Sequence, residues 1–153
     1  MKKVLAMFLA AATMLSLSAC GKKANEQFTV ESGKLIMSTE AGFAPYEYVK
    51  DGKIVGVDVD IAEEIASQLG LELVVVDMDF DKAILAPHEG TADFAAAGIA
   101  VTESRKDAVS FSVEYLQTAQ VVVTKAGDNS VSDEASMLSK TIGVQSGSTA
   151  ELN

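Results

Sequence analysis

From Gly33 onward, short apolar runs alternate with segments of helical periodicity. We predict strands at KLIMST, LELVVVD and ADFAAAGIAV, and helices at DVDIAEEIASQLG and FDKAILAPHEG, the second of them short and interrupted near Pro87. Strands that alternate with helices form a parallel sheet that is covered on both faces. The pattern therefore predicts an α/β fold, with one small β excursion at the polar turn 50–52.

The first predicted helix is amphipathic. Its apolar residues recur at helical spacing and are expected on one buried face, with Ile61, Ile65 and Leu69 in one row and Ala62 and Ala66 beside them. Asp58 or Asp60 can cap the start of this helix, and Gly70 can end it.

A further part of the chain begins after Leu116. We expect a strand at 121–123, a polar loop after it, a short helix at EASMLSK and another strand at 142–144. The last of these strands would have few neighbours to bury its two faces before the sequence ends at Asn153. We therefore expect the sequence to be unfinished at its C-terminus.

The N-terminal residues are expected to direct export. MKK gives a positive start, an apolar stretch follows, and small residues lead to Cys20, as in a secretory signal peptide. The residues Leu17-Ser18-Ala19-Cys20 resemble a bacterial lipobox, which implies a lipoprotein signal peptide at 1–19 and a lipid anchor, including palmitate, on Cys20. An exported protein with an unmodified cysteine is the alternative. The polar residues 20–32 are then a tether.

Charge and motif content argue against several classes of function. The formal net charge is -10, whereas a nucleic-acid-binding protein needs a basic patch. His88 is the single histidine, which is too few for a metal site, and we expect it on the surface. No serine stands in a nucleophile-elbow context, and no lysine follows a glycine-rich phosphate loop. We therefore predict no metal, no cofactor and no hydrolase or nucleotidase chemistry.

Arg105 has a notable position in so acidic a sequence. It lies a few residues beyond the glycine that follows the apolar run near Ala95, just past the end of a predicted buried strand. A fixed cation at such a place can meet an anion. The alternative is a surface arginine that pairs with Glu103 or Asp107.

Four stretches together resemble one protein family. They are STEAGFAPYEY, GKIVGVDVDIAEEIASQLG, DFDKAILAPHEGTADFAAAGIAVTESRKDAVSFSVEY and IGVQSGST. In this order and spacing they resemble the extracytoplasmic solute-binding proteins of polar amino acid ABC transporters, family 3 of the bacterial solute-binding proteins. The resemblance implies a two-lobed periplasmic-binding-protein-like fold of type II. Lobe one is expected nearly complete at 33–116, and the hinge crossing and the start of a truncated lobe two at 117–153.

The resemblance also implies a ligand site between the lobes. Thr102 and Arg105 match a T-x-x-R motif whose arginine holds the α-carboxylate of the ligand. A guanidinium suits that role because its planar fork matches a carboxylate in two parallel hydrogen bonds. Ser148 and Thr149 match a loop of lobe two that adds donors to the same carboxylate, at a helix N-terminus.

Three further parts of the site follow from the same resemblance. Backbone contacts to the ligand's amino group and carboxylate are implied for the segment Gly98, Ile99 and Ala100. Ala100 stands where members commonly have Thr or Ser, so one hydroxyl contact is lost. Phe43 and Phe80 match aromatic residues that face each other across the ligand, and both could instead be ordinary core. Glu40 matches an acidic position that contacts the ligand side chain and favours a polar or cationic one, unless it merely faces solvent.

The function that the resemblance implies is the capture of a polar L-amino acid outside the cytoplasm. The expected partners are the amino acid, an ABC transporter permease and the membrane that holds the lipid anchor, and the protein is expected to be a monomer without enzymatic activity. Two alternatives remain at this point. Dehydratases of cyclohexadienyl acids share the fold, with Glu40 as the candidate general acid, and amino-acid-sensing domains of receptors form another class.

Overall fold

The computed structural model describes residues 28–152. Its strands are β1 Lys34–Thr39, β2 Gly42–Phe43, β3 Glu47–Lys50, β4 Lys53–Val55, β5 Glu72–Asp77 and β6 Phe94–Ala95. Its helices are α1 Val57–Leu69, α2 Phe80–Leu85, α3 Glu103–Lys106, α4 Glu134–Met137 and α5 Thr149–Leu152. None of these helices has the length and apolar character needed to cross a bilayer. The predicted signal peptide and Cys20 lie outside the described residues.

A three-stranded parallel sheet forms the centre of the fold, in the order β5, β1, β6. The central strand β1 is buried along nearly its whole length. Its apolar residues are Leu35, Ile36 and Met37, and the buried hydroxyls of Ser38 and Thr39 donate to backbone carbonyl oxygens. On one face of the sheet Met37 packs against Val59 and Ala62 of α1, and on the other face Ile36 packs against Ala86 and Ala92. The predicted α/β fold with a covered parallel sheet is therefore confirmed.

Helix α1 turns a different face to the sheet than the sequence predicts. Its buried residues are Asp58, Val59, Ala62 and Ala66. Ile61, Ile65 and Leu69 are exposed, so their predicted burial is wrong, and Ile61 and Ile65 line an apolar groove. The small alanines face the sheet, whereas a residue one position away lies about 100° further round the helix.

The predicted end of α1 is correct, whereas its predicted N-cap is wrong. Gly56 is the residue before the first turn, and no side chain caps the helix there, so neither Asp58 nor Asp60 is the cap. Asp58 is buried and has partners elsewhere in the structure. Gly70 ends the helix in the left-handed conformation, with φ 68, as predicted.

A second, antiparallel sheet joins β2, β3 and β4. Lys50 pairs with Lys53 across the turn, and both residues between them, Asp51 and Gly52, have positive φ, as a two-residue hairpin turn requires. This hairpin is the β excursion predicted at 50–52.

Three predicted strands are absent or shortened. The run ADFAAAGIAV is a strand only at Phe94–Ala95, which pair with Met37 and Ser38 of β1, and the backbone has left the sheet by Gly98, whose φ is 56. The segments 121–123 and 142–144 form no strand, and Val123 is 89% exposed. A strand needs a neighbour for its backbone hydrogen bonds, and no strand within 28–152 pairs with either segment. The helix predicted at EASMLSK is limited to Glu134–Met137.

Candidate ligand-binding site

A cleft of about 550 Å³ opens beside the carboxyl ends of the parallel strands. Glu40 directly follows β1, Phe80 begins the helix after β5, and the segment 97–101 follows β6. The carboxyl ends of parallel strands meet at one edge of a sheet, which is the usual place for ligands in such folds. Nine of the ten predicted site residues line this cleft: Glu40, Phe43, Phe80, Gly98, Ile99, Ala100, Arg105, Ser148 and Thr149.

Thr102, the tenth residue, does not line the cleft and is the N-cap of α3. Its Oγ1 accepts a hydrogen bond from the Arg105 backbone nitrogen at 3.3 Å. In a T-x-x-R motif the threonine therefore caps the turn of helix that carries the arginine. Its place in the structure is that of a residue that orients Arg105.

Arg105 is almost completely buried, with 8% of its surface exposed. Nη1 donates to the carbonyl oxygen of Ala100 at 2.6 Å, and Nη2 donates to that of Gly147 at 3.0 Å. Burial lowers the pKa of the guanidinium, and the nearby Asp81 carboxylate acts in the opposite direction. Glu103 forms its ion pair with Lys106, at 2.7 Å, so the alternative of a surface arginine paired within its own segment is wrong.

The two predicted aromatic residues have different surroundings. The Arg105 guanidinium carbon lies 5.4 Å from the centroid of the Phe80 ring, within the range of a cation–π contact. Phe43 is 47% exposed and packs at 5.1 Å between ring centroids against Tyr46, so it is not a core residue. Phe80 thus packs against the Arg105 guanidinium, while Phe43 forms an exposed apolar part of the cleft wall.

The segment from Gly98 to Ala100 is already partly engaged by the protein. The Gly98 amide donates to Asp58 Oδ2 at 3.0 Å, and the Ala100 carbonyl accepts from Arg105. The positive φ of Gly98 favours glycine, and a β-carbon there would also come within 2.9 Å of the Phe43 ring, which would have to shift. The absence of a β-carbon at Gly98 leaves room for the Phe43 ring at the cleft.

The loop before α5 closes the cleft from the C-terminal side. Gln145 Nε2 donates to Glu40 Oε2 at 3.3 Å, and Gln120 Nε2 donates to Thr149 Oγ1 at 3.0 Å. The Ser148 hydroxyl is buried and has no hydrogen-bond partner among the described residues. Helix α5 begins at Thr149, which agrees with the helix start expected there.

Sequence reasoning missed three residues of this region: Glu47 and Tyr115 line the cleft, and Asp58 accepts the amide of Gly98 in its wall. Glu47 is completely buried, and burial, reinforced by the Asp58 carboxylate, raises its pKa to about 9. Burial and the same carboxylate raise the pKa of Tyr115. The signal for Glu47 was weak, because an acid in the short strand EYVK is also typical of an exposed hairpin.

His88 is exposed, as predicted. Within residues 28–152 no group of three or more histidine, cysteine, aspartate or glutamate residues is placed to hold a metal ion.

Comparison with known proteins agrees with this geometry. The family model described as bacterial extracellular solute-binding proteins, family 3, matches residues 35–152. An arginine-binding extracellular protein of Bacillus subtilis, ArtP, is 38% identical over 153 residues, which cover 99% of this chain and 58% of the relative. A cyclohexadienyl dehydratase of Pseudomonas aeruginosa is 31% identical over 96 residues, covering 62% of this chain and 36% of the enzyme.

A solved structure of an ancestral arginine-binding protein bound to arginine superposes with a TM-score of 0.75 at 40% identity. The match covers 78% of this chain and 54% of that protein, so the chain spans little more than half the length of the relatives it matches. The predicted periplasmic-binding-protein-like fold is confirmed. The chain belongs to family 3 of the bacterial extracellular solute-binding proteins.

Proposed function

We propose that this protein binds a polar L-amino acid outside the cytoplasm and delivers it to an ABC transporter. The observation that carries the proposal is the buried Arg105 at the wall of a cleft that also contains the acidic Glu40. A cation and an anion on one cleft match the carboxylate and the side chain of a basic amino acid. Since the similar proteins include arginine-binding ones, we propose arginine as the first ligand to test.

Arg105 is suited to hold the α-carboxylate. A guanidinium has five N–H donors, so the two carbonyl oxygens that it already contacts leave further donors for a ligand. Those carbonyls and the Phe80 ring also fix its orientation before a ligand arrives. The unpartnered hydroxyl of Ser148 is a further donor on the same cleft.

The test is calorimetric titration of the full chain with a panel of L-amino acids. We expect arginine to bind with the highest affinity and glutamine less tightly. A panel in which no amino acid binds would contradict the proposal. Because one relative is a cyclohexadienyl dehydratase, the same preparation is incubated with prephenate and arogenate. We propose a binding protein and not an enzyme, and turnover of either compound would overturn that assignment.

Glu40→Gln should reduce the affinity for arginine by about fivefold, corresponding to about 1 kcal/mol for a partly solvated charge pair. The affinity for glutamine should change less, because a neutral amide gains little from the carboxylate. Titration of both amino acids into both proteins measures the difference. Glu63→Gln, on the exposed side of α1, is the matched control. Equal losses for arginine and glutamine would remove Glu40 from the side-chain pocket.

We also propose the arrangement along the chain. Residues 1–19 act as a lipoprotein signal peptide, Cys20 carries the lipid anchor on the outer face of the membrane, and 20–32 is the tether. Residues 33–116 form lobe one, and 117–153 form the hinge crossing and the beginning of lobe two. Metabolic labelling with palmitate tests the anchor, and Cys20→Ser should abolish the label. Label that persists in that variant would contradict the proposed site.

A further inference from the structure

One buried carboxylate joins three separate segments behind the cleft. Asp58, in the first turn of α1, is only 2% exposed. Its Oδ2 accepts the Gly98 amide at 3.0 Å, and its Oδ1 accepts the Tyr115 hydroxyl at 2.9 Å. Gly98 and Tyr115 both line the cleft, and Gly98 lies against the Phe43 ring. The position of the cleft wall therefore depends on this carboxylate.

A second acid, Glu47, lies beside it: the Asp58 amide donates to the carbonyl oxygen of Tyr46, the residue before Glu47, at 3.0 Å. Glu47 is completely buried in β3, and neither of its carboxyl oxygens has a hydrogen-bond partner among the described residues. The ion pairs within 28–152 join Lys34 to Glu31, Lys82 to Asp79 and Lys106 to Glu103, so none of them includes Glu47 or Asp58. The other titratable groups that face the pair are Glu40, which acts on Glu47, and Tyr115, whose hydroxyl donates to Asp58, and both are acids. Tyr46 in turn acts on Tyr115.

Two adjacent buried carboxyl groups without a cation cannot both be ionised at modest cost. Asp58 already accepts two hydrogen bonds, from the Gly98 amide and the Tyr115 hydroxyl. As a carboxylate, Glu47 would be an acceptor with no donor. As a carboxylic acid, it has a proton to donate, and Asp58 is the neighbouring acceptor.

We propose that Glu47 and Asp58 hold a single proton between them at neutral pH, and that this pair positions the Gly98 segment and Tyr115 at the cleft. Glu47 and Asp58 are positioning residues, since they act on the cleft through Gly98 and Tyr115. The proposal concerns the protein alone and is independent of the identity of the ligand.

The sign of the pH dependence follows from the raised pKa of Glu47, about 9 in the folded protein. An unfolded glutamate loses its proton near pH 4.3. Between these two values the folded state holds a proton that the unfolded state has released. The folding equilibrium constant should therefore fall by up to tenfold for each pH unit from about 5 to about 9.

The first test is a carboxyl carbon NMR titration of the full chain. The Glu47 signal should titrate several pH units above about 4.3, the value of an unperturbed glutamate. Titration of Glu47 near pH 4 to 5 would overturn the proposal. This measurement uses the unaltered protein, so it decides the matter even if the variants below do not fold.

The second test uses three variants and two measurements: urea unfolding across the same pH range, and hydrogen exchange of the Gly98 amide. Glu47→Gln, a neutral mimic of the protonated acid, should fold and should lack the Glu47 contribution to the fall in stability. Asp58→Ala should speed hydrogen exchange of the Gly98 amide at least tenfold, because both acceptor oxygens are lost, whereas the exposed control Asp60→Ala should leave it unchanged. An unaltered pH dependence in Glu47→Gln, or unaltered Gly98 exchange in a folded Asp58→Ala, would contradict the proposal.

Discussion

Arg105→Ala should weaken the binding of an L-amino acid by about 2–5 kcal/mol, the usual penalty for truncating one partner of a buried charged pair. Arg105 is 8% exposed, so the ligand carboxylate would meet it with little competing water. Arg105→Lys keeps a charge but loses the planar fork, and we expect it to recover only part of the affinity. Calorimetry with arginine as the titrant measures all three proteins.

Two controls make this result interpretable. Lys106→Ala removes a neighbouring cation whose ion pair with Glu103 is exposed, and such pairs are worth little. Thermal melting detects any loss of the contacts that Arg105 makes with the carbonyls of Ala100 and Gly147. If Arg105→Ala bound arginine as tightly as Lys106→Ala does, Arg105 would not be the carboxylate site.

The sequence predicts those features that depend on short stretches of chain. The alternation of apolar runs with helical segments predicts the parallel sheet, because the apolar residues of a strand indicate that the strand is buried. Strand β1 is the clearest case. The site residues are predicted through motifs, and nine of them line one cleft. Glu40, Phe80 and the segment 98–100 follow the ends of parallel strands, whereas Phe43 lies in the antiparallel sheet and Ser148 and Thr149 follow a segment that forms no strand. The binding roles of these residues remain predictions.

The failures concern properties that depend on distant partners. Nothing in the spacing of α1 tells which part of a broad apolar stripe meets the sheet, and the alanines take that place although Ile61 and Ile65 are larger. Asp58 has the position of a helix cap in the sequence, yet its partners, Gly98 and Tyr115, lie 40 and 57 residues away. The valines at 121–123 have strand propensity, but propensity supplies no neighbouring strand.

Gly56→Ala should lower the free energy of unfolding by more than about 3 kcal/mol. Gly56 has φ 136 and ψ -179, a conformation open essentially only to glycine, and strain of this kind costs about 1–3 kcal/mol. A β-carbon there would also meet the carbonyl group of Tyr46 and approach the Pro45 oxygen to 2.7 Å. These are backbone atoms and cannot rotate away, so the first turn of α1 must move away from the loop between β2 and β3.

Gly52→Ala is the matched control, because Gly52 also has a positive φ, of 77, but its added β-carbon would meet nothing within 4 Å. We expect a loss of about 1–2 kcal/mol from strain alone. The difference between the variants in urea unfolding then measures the close approach at Gly56. That approach brings Asp58 to the cleft, since the Val57 and Asp58 amides donate to the Pro45 and Tyr46 carbonyls at 3.2 and 3.0 Å. Equal losses in the two variants would mean that α1 can move at no cost, and its start would then not hold the cleft wall in place.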